Sequence, residues 1–287
     1  MQKRQKRYVV ITGTSTGIGY DAARKLIHHG FHVFGSLRHI KDGERLKNEL
    51  GVSFTPLYFD VTDKNAVLDA AQEVKAKIGN AGLAGLVNNA GIAVAGPLMH
   101  LPLEQFRHQF EVNLFGVLQV TQAFLPLLGA RKKCSHPPGR IINISSTSGR
   151  IVYPFLGPYS ASKHALGAFS DALRRELMLY GIDVIIIEPG SSKTPIWDKA
   201  AKIDYTFCHQ TDYDSIFSQA SKTSMEQGHK GLPVSTVSQA IYTALTSKRP
   251  KSRYPLPSRW LMKWILPRWL PDRWFDKIIA RKVKIIK

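Results

Sequence analysis

A short β-branched run that breaks directly into glycines constrains this chain more than any other feature. Tyr8-Val9-Val10-Ile11 is apolar enough for a buried strand, and it ends in Thr12-Gly13-Thr14-Ser15-Thr16-Gly17-Ile18-Gly19. After that turn, residues 18–29 read as a helix closed by Gly30, and 31–37 are strand-like again. The alternation continues with a strand over 54–59, a helix over 64–78, a short strand over 83–87, a long helix near 104–125 and a strand over 140–144. A helix over 159–179 and a very apolar strand over 183–187 complete it. Strands alternating with helices require right-handed crossovers, so the expected fold class is α/β: a doubly wound, mostly parallel sheet of six strands with helices on both faces. Residues 191–233 read as a long irregular excursion after the sixth strand, where such folds cover their ligands.

Composition narrows the function classes. A chain of 287 residues with 44% hydrophobic side chains, 22 Gly and 16 Pro is globular, neither collagen-like nor disordered. Cys134 and Cys208 make no disulfide framework, and no apolar run reaches the ~18 residues of a membrane span; together these predict a cytoplasmic protein. The net charge of +19 sits at the ends: residues 1–7 hold four cations (Lys3, Arg4, Lys6, Arg7), and 248–287 hold thirteen against Asp272 and Asp276. The 240 residues between carry 23 cations against 19 acids. A nearly balanced body with basic ends argues against a nucleic-acid-binding core and for ends that meet something anionic.

In the first turn, glycines let the backbone approach a pyrophosphate, and free N–H groups with the helix dipole favour its charge; a tight strand-to-helix turn with no ligand reads the same way. Tyr159 and Lys163 are four residues apart on a helix, so an ammonium can sit beside the phenol. A phenol titrates near 10, and a neighbouring cation lowers it, which predicts Tyr159 as general acid/base. Ser146, on another element, can donate to a carbonyl oxygen that gains charge as hydride arrives.

The TGxxxGxG spacing resembles the short-chain dehydrogenases/reductases, and the resemblance recurs in order through Asn88-Asn89-Ala90-Gly91, Asn113, Asn143-Ile144-Ser145-Ser146, Tyr159-Ser160-Ala161-Ser162-Lys163, Pro189-Gly190 and Thr194, over roughly residues 8–195. It implies a Rossmann-type dinucleotide-binding and catalytic domain over residues 1–250 and an NAD(P)(H)-dependent oxidoreductase acting on CH–OH groups. It also implies that Lys163 binds ribose and that Asn113 holds a proton-relay water. Cofactor contacts are expected at Gly13, Ser15, Gly17, Ile18, Gly19, Asp60, Val61, Asn89, Ala90, Gly91, Pro189, Gly190 and Thr194. Asp60 reads equally as a cap for a helix starting near Thr62 or Asp63. Ser145 is expected in the wall beside Ser146, and Tyr153, which has no lysine four residues on, in the substrate pocket or in packing.

The end of the second strand decides the cofactor. Leu37 stands where NAD-binding relatives place a carboxylate, and Arg38 follows, so NADP(H) is expected over NAD(H), unless Arg38 is simply solvated. The cysteines and histidines lack metal-ligand spacing, and no metal is expected.

Residues 251–287 form a basic, Trp-rich C-terminal extension with Trp260, Trp264, Trp269 and Trp274 among Arg259, Lys263, Arg268 and Arg273. Over its last helix Arg273, Lys277, Arg281 and Lys284 make one stripe, and Phe275, Ile278, Ile279, Val283 and Ile286 an apolar side. The segment 254–287 reads as a peripheral anchor on an anionic membrane, as a helix packed over the pocket or in a homo-oligomer interface, or, least, as a nucleic-acid contact. The aromatic excursion predicts a hydrophobic small-molecule substrate: steroid-, retinoid- or lipid-like alcohols, ketones or aldehydes. A weaker resemblance over 33–38 to the steroid and retinol dehydrogenase branch implies the same. A reductase of small carbonyls or acyl thioesters, and a catalytically silent nucleotide-binding scaffold, are the alternatives.

Overall fold

The computed structural model describes residues 6–200, 205–257, 260 and 264–286. The predicted alternation forms: β1 (Arg7–Ile11), α1 (Gly17–His28), β2 (Phe31–Leu37), α2 (Ile40–Leu50), β3 (Phe54–Tyr58), α3 (Lys64–Ile78) and β4 (Gly85–Asn88). Then come α4 (Leu103–Phe110), a π-helical turn (Glu111–Phe115), α5 (Gly116–Phe124), β5 (Arg140–Ile144), α6 (Gly157–Glu176) and β6 (Asp183–Pro189). The chain ends with α7 (Ile196–Ala200), α8 (Asp214–His229), α9 (Val234–Thr246), β7 (Arg253–Leu256), α10 (Leu266–Trp269) and α11 (Asp272–Lys282).

The sheet has seven strands in the order β3-β2-β1-β4-β5-β6-β7, every pair parallel. Alternation within strands builds two cores. Val9 and Ile11, Ile142 and Ile144, and Ile185 and Ile187 face Leu26 of α1 and Ile241 of α9. Val10, Ile141 and Val184 face Val74 of α3, Phe124 of α5 and Leu173 of α6. Full burial of each such side chain contributes roughly 1.5 to 3 kcal/mol. The chain reverses its direction of sheet growth between β1 and β4, which opens a crevice at the strands' carboxyl ends.

Three expectations are corrected. The sheet gains a seventh strand, Arg253–Leu256, paired with β6, so the first piece of the C-terminal extension belongs to the sheet. The excursion 191–233 is largely helical through α7 and α8, and Ser192 bridges Leu232 to tie its ends together. The long helix near 104–125 is interrupted by the π turn. The helical stretch Leu103–Leu128 has the length and apolarity of a membrane span. Here Val112, Val120, Phe124 and Leu128 are core residues, which accounts for that apolarity.

Candidate active site

A cavity of about 460 Å³ lies at the crevice, and it has a nucleotide end and a substrate end. At the nucleotide end, Gly13 turns through φ 69° and Gly17 through φ 61°, conformations that favour glycine. A Cβ on Gly13 would also stand 3.0 Å from the Ala90 Cα. The turn is held from behind. Thr12 Oγ1 accepts the backbone N–H groups of Asn89 and Ala90 at 2.9 Å each, Asn89 Nδ2 donates to the carbonyls of Thr12 and Gly13, and Gly13 N–H donates to Ser36 Oγ. Arg45, on α2, donates to the Ser15 carbonyl at 2.8 Å. The bracing roles of Thr12, Ser36 and Arg45 were missed by sequence reasoning; Thr12 belongs to the TGxxxGxG run, while Ser36 and Arg45 lie outside it.

The amino end of α1 is bare. Thr16 at its N-cap makes no side-chain hydrogen bond, and the first turn holds no acid. Its unpaired N–H groups and dipole therefore fit a phosphate pressed against the turn, which is what a dinucleotide requires. Gly13, Ser15, Gly17, Ile18, Arg38, Asp60, Val61, Asn89, Ala90, Gly91, Pro189, Gly190 and Thr194 all line the cavity. Asn89 contributes backbone, since its side chain is spent on the turn. Gly19 lies behind the wall, against the Gly13 carbonyl and the Asn89 side chain.

Arg38 is 61% exposed and stands 3.7 Å from Asp60, which brings the candidate selectivity residue and an expected cofactor contact to one end of the cavity. Asp60 does not cap α3; Asp63 does, accepting from Asn65 and Ala66 N–H, while Asp60 accepts from Thr62 N–H and hydroxyl. Burial raises the Asp60 carboxyl, but those bonds, Arg38 and His108 outweigh it and hold it below the usual carboxylate range.

At the other end Ser146, Tyr159 and Lys163 meet around one floor. Ser146 Oγ accepts from Ser148 N–H at 3.1 Å and faces the Pro189 carbonyl at 3.4 Å. Lys163 is buried, donates to the Ile144 carbonyl at 2.9 Å and lies 5.8 Å from the centre of the Tyr159 ring. Burial lowers its ammonium from 10.5 to about 8. The expected depression of the Tyr159 pKa by Lys163 is corrected: burial raises the phenol, and the opposing influence is a hydrogen bond from Ser146.

Asn113 is fully buried on the π turn and does not reach the cavity wall. Its carbonyl accepts from Ile92 N–H, and its amide donates to the Ile92 carbonyl and to Ser162 Oγ, so the side chain is committed to tying the loop after β4 to α6. A Cβ on Gly91 would stand 3.2 Å from Asn113 Oδ1 and 3.8 Å from Lys163 Nζ, which ties that glycine to the same assembly.

Glu188, 2% exposed at the end of β6, receives Arg253 at 2.8 Å and Arg150 at 3.3 Å, and Arg253 also reaches Asp171 at 2.6 Å. This cluster joins β6, β7 and α6 beside Pro189 and Gly190. No spacing in sequence announces it, because its members are 150, 171, 188 and 253.

The substrate end is walled by Ile151, Tyr153, Leu156, Trp197, Ile279 and Val283, with Ser145 beside Ser146. Tyr153 both lines the cavity and meets Phe275 of α11. Trp197 is fixed by a bond from Nε1 to the Ser192 carbonyl at 3.0 Å. The inner side of α11 thus lies over the cavity. Lys3, Arg4, Arg259 and Lys263 of the basic ends, like the side chain of Arg268, are outside the described residues.

Residues 7–203 match the short chain dehydrogenase family. The chain is 44% identical over 278 residues to the NADPH-dependent 3-dehydrocapnine reductase of Ornithobacterium rhinotracheale, covering 97% of this chain and 98% of that one. It is 35% identical to mouse retinol dehydrogenase 16 over 264 residues, 87% of this chain and 80% of that protein. A solved serine dehydrogenase in its closed form with NADP+ superposes with a TM-score of 0.74 at 26% identity, over 87% and 94% of the two chains.

Proposed function

The chain belongs to the short-chain dehydrogenase/reductase family of oxidoreductases, and on that premise we propose that it reduces a lipophilic ketone to a secondary alcohol with NADPH. The observation that carries this is the convergence of Ser146, Tyr159 and Lys163 on the apolar half of a cavity whose other half begins at a bare helix amino end and finishes at Arg38. Residues 1–250 supply this machinery, and the extension that follows completes its substrate wall.

NADPH supplies the hydride. The α1 amino end and the glycine turn hold its phosphates, and Arg38, with no carboxylate at position 37, favours a 2′-phosphate. The Ser146 hydroxyl donates to the substrate oxygen as charge develops there, and the buried setting strengthens that bond. Tyr159 gives its phenolic proton to the same oxygen, and a phenol held high by burial remains protonated at neutral pH, ready to act as the acid. Lys163 would hold the ribose, and its ammonium, near 8, is the nearby proton source that recharges the spent Tyr159 phenolate, solvent in the cavity then restoring the proton to the lysine.

The substrate is lipophilic because Ile151, Leu156, Trp197, Ile279 and Val283 line this end of the cavity, and a retinol dehydrogenase among the relatives agrees with that class. The test is NADPH oxidation against a panel of long-chain 3-ketones, steroid ketones, retinaldehyde and small ketones. Turnover confined to small polar carbonyls or acyl thioesters would overturn the substrate class, and none with any carbonyl would overturn the enzyme reading.

A further inference from the structure

The inner face of α11 is accounted for by the cavity, but its outer face is not. Ile279 is buried, Val283 lines the cavity and Phe275 meets Tyr153. On the opposite side Trp274 and Ile278, one turn apart, are 67% and 51% exposed, Trp269 just before the helix is 83% exposed, and Leu266, Ile285 and Ile286 are exposed in the segments that flank it. Large apolar side chains left in water together mark a surface that meets something apolar. Arg273, Lys277 and Arg281 stand exposed on the same helix, and none of the three has an ion-pair partner among the described residues.

We propose that the outer face of α11, with Trp269, docks this protein on an anionic lipid bilayer. Tryptophan suits the headgroup boundary, where its ring is buried and its N–H stays wet, and Ile278 and Ile285 enter the acyl boundary. The occupant is chosen by charge: α11 carries Arg273, Lys277, Arg281 and Lys282 against Asp272 and Asp276, within a segment 248–287 of thirteen cations and two acids, so a second copy of this cationic face would be repelled, whereas anionic headgroups are attracted. Because the same helix walls the cavity on its other side, docking sets the substrate end beside the lipid. A lipophilic ketone can then pass from bilayer to active site without crossing water; this last step rests on the substrate class proposed above, while docking itself does not.

The experiment is liposome flotation of the full chain, with phosphatidylglycerol vesicles against phosphatidylcholine vesicles at low and high salt, beside W274S, I278S and K277E. None of these residues lines the cavity, so turnover of a short, water-soluble ketone reports folding and catalysis independently. The expected result is flotation with anionic vesicles at low salt and at least a tenfold loss of binding in each variant, with soluble-substrate turnover unchanged. Lipids brominated near the headgroup should also quench tryptophan emission in the full chain and less so in W274S. No flotation at low salt, flotation that the variants leave unchanged, or a dimer in solution that W274S dissociates would each overturn the proposal. Absence of soluble-ketone turnover in the unaltered chain, with flotation intact, would instead count against the reductase reading alone.

Discussion

Lys163 sits one helical turn after Tyr159, yet its ammonium donates to the Ile144 carbonyl and stays 5.8 Å from the phenol ring. A cation that close to a helix partner is expected to depress the phenol, but here burial governs both groups, raising Tyr159 and lowering Lys163 to about 8. The linkage follows from the second shift. Between about pH 8 and 10.5 the unfolded chain keeps the lysine proton and the folded chain has lost it, so this group's contribution to stability rises with pH across that window. Below pH 8 both states are charged and the burial cost, about 3 kcal/mol at 1.36 kcal/mol per unit, is borne in full. Lys163→Met should therefore be more stable than the parent at pH 7, with the difference shrinking toward pH 9.5. Denaturant melts of both proteins without cofactor check it; a difference that does not change with pH sinks the assignment.

Tyr159→Phe removes the transferable proton and little volume. Turnover should fall about 10²- to 10⁴-fold, the usual worth of a positioned acid, while NADPH binding stays close to normal. Ser146→Ala should cost about 10²-fold or more in kcat through the lost hydrogen bond to the substrate oxygen. Lys163→Ala should weaken both turnover and cofactor binding. Stopped-flow hydride transfer with fluorescence titration of NADPH separates the two effects, and wild-type turnover by Tyr159→Phe would refute the mechanism.

The exposed pair between Arg38 and Asp60, at 3.7 Å, is weak enough that a 2′-phosphate can take the guanidinium over. Arg38→Ala should cut the preference for NADPH over NADH by roughly 1.5 to 3 kcal/mol, a typical value for a hydrogen bond to a charged group. Leu37→Asp should go further by repelling the phosphate. Calorimetric titration of both cofactors measures the gap, and equal affinities in the unaltered protein end the argument.

What the sequence made legible follows from periodicity and from local motifs. The continuous apolar run Val9-Val10-Ile11 marks a strand buried on both faces, as the structure has it, and the glycine turn that ends β1 shows in the residues as well. Hidden were elements whose signal is tertiary. β7, Arg-Tyr-Pro-Leu, is four residues with a proline and is a strand because β6 offers it an open edge. α8 is rich in Ser, Thr and Gln and has its helicity set by Phe217 and by Gly228, whose missing side chain admits Trp197. α2 carries a glycine in its middle, where the Tyr58 hydroxyl leaves no room for a Cβ. The commitment of Asn113 to Ile92 and Ser162 was not legible, because chain separation of 21 and 49 residues leaves no pattern.

Glu188 illustrates the same point energetically. Arg253→Met removes the closer of its two guanidinium partners and leaves Asp171 with Arg174 alone, at 3.1 Å. Breaking a buried pair from one side costs about 3 to 5 kcal/mol, and Arg150, still 3.3 Å away, keeps this loss toward the lower end. Arg150→Met with Arg253→Met should exceed the sum of the single effects, since the carboxylate is then stranded. A double-mutant cycle by urea melts tests this; additive losses would mean that the arginines act separately.

Charge on the substrate is the remaining expectation. Lys282 and Lys284 line the cavity at the α11 end, and among the described lining residues the one carboxylate is Asp60, at the nucleotide end. Both lysines are exposed, so each ammonium interacts through water and is worth about 0.2 to 1 kcal/mol toward an anionic group, a factor of roughly 1.5 to 5. Together they should favour a ketone bearing an acidic group over its neutral analogue, and disfavour one bearing an amine alone. Salt should narrow that spread, because exposed pairs are screened beyond about 10 Å at 0.1 M. The comparison is kcat/KM for acidic, neutral and basic ketones of one chain length, in the parent and in Lys282→Ala/Lys284→Ala, at two ionic strengths. The double variant should lose the acidic preference while keeping turnover of the neutral ketone. If all three ketones respond alike, the lysines face solvent and take no part in selection.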